Sequence, residues 1–218
     1  MVTARRAAVV AALVVALGLG ATVAADNRPE LRDMKFAERG STLYLTTDVT
    51  SVFDEAAYHR LEDGLLSTVV IRLWVFPKGS KRPLAFQLLH REMVYDLWGE
   101  AYEVALTGPN GRRVYRVKYR AEALKLVTEL HQFAMADLSV IPYDEPIEVA
   151  VVAELNPVSA ETMAEVRRWL SDGSGGGLDR GGSFFGSFVS VFVNLKVPDA
   201  DRVLRTRSKP YTRRRPAP

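Results

Sequence analysis

Four stretches rich in β-branched and aromatic residues follow one another between residues 67 and 119 with almost nothing between them. Ser67 to Phe76, Leu84 to Asp96, Ala101 to Leu106 and Arg112 to Tyr119 each read as a strand. They are separated by Pro77-Lys78-Gly79-Ser80, by a break holding Gly99, and by Gly108-Pro109-Asn110-Gly111, all turn-forming sequences. Parallel neighbours need a crossover of about a dozen residues or more, and no such length separates these strands. Hairpin order follows, and with it an antiparallel sheet.

The flanking segments extend that core. Ser41 to Val49 alternates Leu43 and Leu45 with Thr42, Tyr44 and Thr46, and Glu148 to Leu155 contains the buried-strand run Val-Ala-Val-Val-Ala. Three helices are predicted. Phe53 to Leu65 is the first. Ala121 to Phe133 is the second, with Leu124, Val127 and Leu130 at helical intervals. Ala160 to Leu170 is the third, following Pro157 with Ser159 as its cap. Strands in hairpin order with helices inserted between them predict an α+β fold, mainly an antiparallel β-sheet or sandwich.

The N-terminus carries a different signal. Arg5 and Arg6 precede a 17-residue uncharged run from Ala7 to Val23; Val23-Ala24-Ala25 then gives small residues at a cleavage position before the polar Asp26-Asn27-Arg28-Pro29. This is the charged, apolar, small-residue order of a secretory signal peptide, with cleavage expected after Ala25. A retained anchor is the competing reading, although the run is at the short limit for spanning a bilayer. The Arg pair raises the twin-arginine route, but Ala-Ala-Val-Val follows it and the general secretory route is the default. With no cysteine in the chain, disulfides, thiolate metal sites and a lipoprotein anchor are all excluded.

Removal of residues 1–25 also changes the charge description. All 26 acidic residues lie between Asp26 and Asp201, beside 20 basic ones, whereas seven cations and no acid follow Asp201. An acidic body with a basic tail is the expectation. The domain plan is then a signal peptide (1–25), a lead-in (26–40), a β-rich α+β domain (41–171), a glycine-rich linker (172–183), a Phe/Val-rich segment (184–197) and the basic tail (198–218).

Chemistry-bearing constellations are sparse. His90, Glu92 and Asp96 share a strand face and suit a cation or acid–base work, yet the same spacing describes a solvated face. Three histidines without paired spacing give zinc little support. His59 and His131 read as partly buried helical side chains. Ser187 and Ser190 lack a Gly-x-Ser-x-Gly setting and a downstream histidine, and Gly173 to Gly177 is followed by no Gly-Lys-Ser/Thr. No enzyme class, metal or cofactor is implied. The aromatics Tyr95, Trp98 and Tyr102 read first as packing around a hairpin and second as a candidate ligand pocket.

The strongest interaction lead is Ser183 to Val193. As a helix it stacks Phe184, Phe188 and Phe192, with Phe185 and Val189 alongside; as a strand it places Phe185, Val189, Val191 and Val193 together. It either completes the core of its own domain or engages a partner or membrane interface. In the second case Arg213, Arg214 and Arg215 would favour an anionic surface. Nucleic acid is a poor partner for an exported tail.

Several of these features together resemble a proteobacterial exported family known as domain of unknown function 4390. The resemblance lies in the signal peptide, the helix ending Leu61-Glu62-Asp63-Gly64, the strand Val69 to Val75, and the pattern Arg91, Tyr95, Leu97, Tyr102 and Val104. The helix from Ala121 to Phe133 and the strand from Ile147 to Leu155 follow in order. It spans roughly residues 40 to 170; the linker, Phe-rich segment and basic tail depart from it. The resemblance implies an exported β-rich domain and brings no catalytic residues. The expected function is a non-enzymatic cell-envelope protein, exported to the periplasm or the periplasmic face of a membrane, that engages a protein or an anionic membrane surface. The alternatives are a small-ligand-binding or sensory accessory module and, behind it, a hydrolase.

Overall fold

The computed structural model describes residues 29–157 and 200–215. In chain order these form β1 (Glu30–Arg32), β2 (Lys35–Arg39), β3 (Thr42–Asp48), α1 (Glu55–Glu62), β4 (Ser67–Pro77), β5 (Ala85–Asp96), β6 (Ala101–Gly108) and β7 (Gly111–Val117). After these come α2 (Arg120–Thr128), β8 (Glu129–Asp137), β9 (Pro146–Pro157), β10 (Ala200–Ser208) and β11 (Tyr211–Thr212). Among the described residues the chain is mostly strand with two α-helices, an α+β arrangement. The third expected helix, at 160–170, lies outside the described residues.

The predicted hairpin series is present, with β4, β5, β6 and β7 pairing antiparallel in sequence order. On the other side of β4 lies β9, then β10, then β1, giving the order β1-β10-β9-β4-β5-β6-β7, with β11 also on β9. Among the described strands, β1 alone runs parallel to its neighbour, with Glu30 opposite Thr206. A separate three-stranded sheet has the order β2-β3-β8. One continuous core joins the two sheets: Val69, Ile71, Leu73 and Val75 of β4 and the alternate residues of β9 share it with Leu43, Leu45 and Met135 of the smaller sheet. Each such fully buried aliphatic contributes about 1.5–3 kcal/mol relative to exposure.

The first helix starts and stops on identifiable chemistry. Asp54 caps it by accepting from the Ala57 amide at 2.9 Å. It ends in a Schellman arrangement: the Gly64 amide donates to Leu61 O and the Leu65 amide to Arg60 O, with Gly64 at φ +72. The helix therefore ends earlier than the expected Leu65. A side chain on Gly64 would also press on Leu97 and the Tyr95 carbonyl at 3.3 Å, so this glycine sets how closely the α1–β4 turn meets the β5–β6 hairpin.

Three expectations are corrected. The segment from Ala121 to Phe133 is helical only to Thr128; Glu129 turns extended (φ −88, ψ 135) and the chain continues as β8, paired with β3. Residues 26–40 are not merely a lead-in, since they supply β1 and β2. Residues 200–215 are not a free basic tail. They form β10 and β11 on the sheet, and Arg202, Arg207, Lys209, Arg213 and Arg215 pair with Asp54, Glu148, Asp33, Glu38 and Asp144. The acidic body and basic end meet in one neutralised structure. No helix among the described residues is long and apolar enough to cross a membrane.

Candidate functional site

Strand β5 presents two faces, and register decides which residues share them. Arg91, Met93 and Tyr95 face the common core. There Arg91 Nη1 donates to the carbonyls of Leu126, Val127 and Glu129 at 2.8, 2.9 and 3.0 Å, tying the end of α2 to the sheet. Burial lowers its pKa to about 10, so it stays charged at neutral pH. His90, Glu92 and Asp96 lie on the opposite face, as their alternation requires. The three do not assemble into a site: His90 is buried, Glu92 faces Arg112 at 3.8 Å, and Asp96 belongs to the hairpin turn. Among the described residues no group of three or more His, Cys, Asp or Glu side chains is placed to hold a metal ion. His59 and His131 are both exposed rather than partly buried, and His131 sits on β8, not on a helix.

The β5–β6 hairpin tip is built with care. Asp96 Oδ1 accepts from the amides of Trp98 and Gly99 at 3.1 and 3.0 Å. These backbone bonds, with Arg116 beside them, hold the Asp96 carboxyl below its ordinary value. Arg116 Nη2 donates to Asp96 Oδ2 at 2.8 Å, and Arg116 Nη1 donates to Glu103 Oε1 at 3.2 Å. A Cβ at Gly99 would displace the Arg116 guanidinium and the Asp96 carboxylate from each other, so glycine is what lets this ion pair close over the turn.

This braced turn displays Trp98, which is 98% exposed, beside Leu97 at 58%. Leu97 abuts the α1–β4 turn at Gly64, and that turn continues into the exposed Leu65 and Leu66. Four large apolar side chains thus rim one end of the molecule. Leu65 and Leu66 also line an open groove of about 450 Å³ together with Arg60, Thr68, Asn156, Pro157 and Asp201. Tyr95 and Tyr102 pack with their rings tilted at 45° and centroids 4.7 Å apart, with Tyr102 buried. They pack under the hairpin, whereas a side chain as exposed as Trp98 does not line an enclosed cavity with them.

The other sequence-derived candidates divide between two places. Ala25, Phe184, Phe185, Phe188 and Phe192 lie outside the described residues. Arg213 is engaged, with Nε donating to Glu38 Oε2 at 3.2 Å, Nη1 donating to Leu138 O at 2.8 Å, and the guanidinium 3.9 Å over the Tyr143 ring. Beside it the Tyr211 hydroxyl donates to Glu38 Oε1 at 2.7 Å; burial, then that bond, push its pKa up to about 12. Arg214 and Arg215 are exposed, Arg215 with Asp144 at 3.1 Å. Sequence reasoning missed the Leu65, Leu66 and Leu97 parts of the rim. The signal available was an apolar pair directly after a helix-ending glycine, and a Leu-Trp pair at a turn where polar residues are usual.

The fold and site together describe a β-rich α+β domain with an apolar rim displayed at one end. The chain matches no family model, no curated protein and no solved structure.

Proposed function

We propose that this chain is an exported, non-enzymatic envelope protein, a two-layer, sandwich-like member of the family it resembles. In this reading it engages a partner surface through the Trp98 rim. The observation that carries the reading is a tryptophan 98% exposed on a hairpin tip braced by Asp96, Gly99 and Arg116. Exposed apolar patches of this kind mark interaction sites. Tryptophan is enriched among the residues that dominate interface energies, and a pre-braced loop loses little entropy on binding. Export rests on the order of charge, apolar run and small residues before Asp26. Transfer of contact from Arg213 to Arg215 onto the rim follows from the ion pairs that already occupy two of the three.

The test places a photoreactive residue at Trp98, with a control at exposed Lys78 in the turn that follows β4, in a cell that exports the chain. Discrete adducts at 98 and none at 78 are expected, and Trp98→Ala should lower partner association at least tenfold without shifting the melting temperature. Equal adducts at both positions, or none at 98, would defeat the reading. Mass spectrometry of the envelope form is expected to find Asp26 as the first residue.

A further inference from the structure

Strand β7 ends the larger sheet and, among the described strands, pairs with β6 alone. The described strands that end a sheet differ in how they meet solvent. β1 has three residues and β2 five, while β8 pairs with β3 through shifts of register. β7 runs seven residues in unbroken register with β6 and contains no proline. In an antiparallel ladder alternate residues turn their amide and carbonyl away from the neighbouring strand. About three residues of β7 therefore hold both groups toward its open side. Shortness, bulges and prolines are common ways of blunting such an edge, and β7 uses none of them.

What the edge carries is charge. From Gly111 to Ala121 the chain holds Arg112, Arg113, Arg116, Lys118 and Arg120 and no acid. Arg112 faces Glu92, Arg116 faces Asp96 and Glu103, and Arg120 faces Glu62. Arg113 and Lys118 are exposed and have no carboxylate partner among the described residues. Between these cations Val114 is 56% exposed, with Tyr115 beside it at 36%. Backbone groups, apolar side chains and cations are thus presented together along one line.

That combination selects among occupants. A second copy pairing antiparallel with Val114 opposite Val114 would set each Arg112 against Arg116 of the other copy. Like charges directly opposite destabilise a strand pair. Nucleic acid matches the charge but not the backbone, since phosphate only accepts hydrogen bonds and half of the edge groups are carbonyls that need a donor. An extended peptide with acidic side chains satisfies both, its main chain completing the ladder and its carboxylates meeting the cations.

We propose that β7 is a strand-addition site, on which an extended acidic segment of a partner protein pairs with the open edge and sets its carboxylates against Arg113 and Lys118. This surface is separate from the Trp98 rim and stands whether or not that rim binds.

The probes are capped peptides of about eight residues, enough to span β7, added to the full chain. One alternates glutamate with valine, one alternates lysine with valine, and one is the glutamate sequence with every amide N-methylated. In the free chain, hydrogen exchange should be fast at alternate amides of β7 and slow at those bonded to β6. The glutamate peptide is expected to slow the fast set about tenfold or more and to bind about tenfold or more tighter than the lysine peptide. Arg113→Glu combined with Lys118→Glu should reverse that preference at an unchanged melting temperature. Slow exchange throughout β7 in the free chain overturns the proposal, because the edge then already has an occupant. So does a glutamate peptide that leaves β7 unprotected, or an N-methylated peptide that binds as well as its parent, since it keeps the charge without the donors. Equal binding of an oligothymidylate of matched charge overturns it in favour of a general polyanion surface. Dimers in sedimentation with β7 protected overturn it in favour of a second copy.

Discussion

Arg91 is a buried cation whose described partners are three carbonyls and no carboxylate. It sits on the last carbonyls of α2, where the helix dipole is negative and the acceptors would otherwise be unsatisfied. Arg91→Met keeps the apolar stem and strips those donors; a loss of about 3 kcal/mol is expected in urea unfolding, with Arg91→Lys recovering part of it. His90 is the second informative residue. It is 8% exposed, its Nε2 has no hydrogen-bond partner among the described residues, and burial lowers its pKa below 6.5 against the opposing pull of Glu92, with Arg112 adding to the decrease. Below that value the unfolded chain takes up a proton that the folded chain refuses. Stability should therefore be full above about pH 6.5 and fall as the pH drops toward the folded value. His90→Phe is expected to flatten that slope in melting curves recorded from pH 7 to 5. Neither role was legible beforehand. Alternation showed that Arg91 and His90 face opposite ways, but not that both faces of β5 are buried.

At the scale of elements, what could be read in advance depended on whether a boundary carries its own chemistry. The β4 to β7 hairpins were legible because Gly79, Gly99, Gly108 and Gly111 mark their turns and β-branched residues fill the strands. The α2–β8 junction was not. Leu124, Val127 and Leu130 keep helical spacing across it, and no glycine or proline marks Thr128–Glu129. Pairing with β3 through irregular register overrides the local preference, and Gln132 takes a positive φ of 46 within β8. The β5–β6 turn offers an element-scale test. Gly99→Ala forces Arg116 away from Asp96 and should cost about 1 kcal/mol or less, the scale of an exposed ion pair, with loosening of the Trp98 tip visible as increased amide exchange there. The central strands β4 and β9 offer another through Arg72 and Glu154. Arg72→Leu leaves a buried carboxylate and should cost about 3–5 kcal/mol, whereas pairing it with Glu154→Leu should cost clearly less. A double-mutant cycle in guanidinium reads the difference.

Across the whole molecule, the sheet is assembled from both ends of the chain. The last strands were hidden by their charge: Arg202, Arg205 and Arg207 within eight residues read as a solvated run. On β10 the arginines instead meet acids of the body, as Arg202 does Asp54 and Arg207 does Glu148, while Thr206 and Ser208 are buried. Pair partners distant in sequence leave no local pattern, so this part of the fold could not be read from periodicity. A chain ending at residue 199 loses the neighbour of both β9 and β1 and is expected to show no cooperative thermal transition by circular dichroism. The parallel pairing of Glu30 with Thr206 has a consequence in time. The first strand has no place until nearly the last has emerged, so the β1–β10 edge of the sheet cannot be completed on a growing chain. Topologies so dependent on distant pairings fold in about milliseconds to seconds, and for this chain that closing step waits for β10. Until then β9 presents one unpaired edge, the kind of strand on which another chain can add.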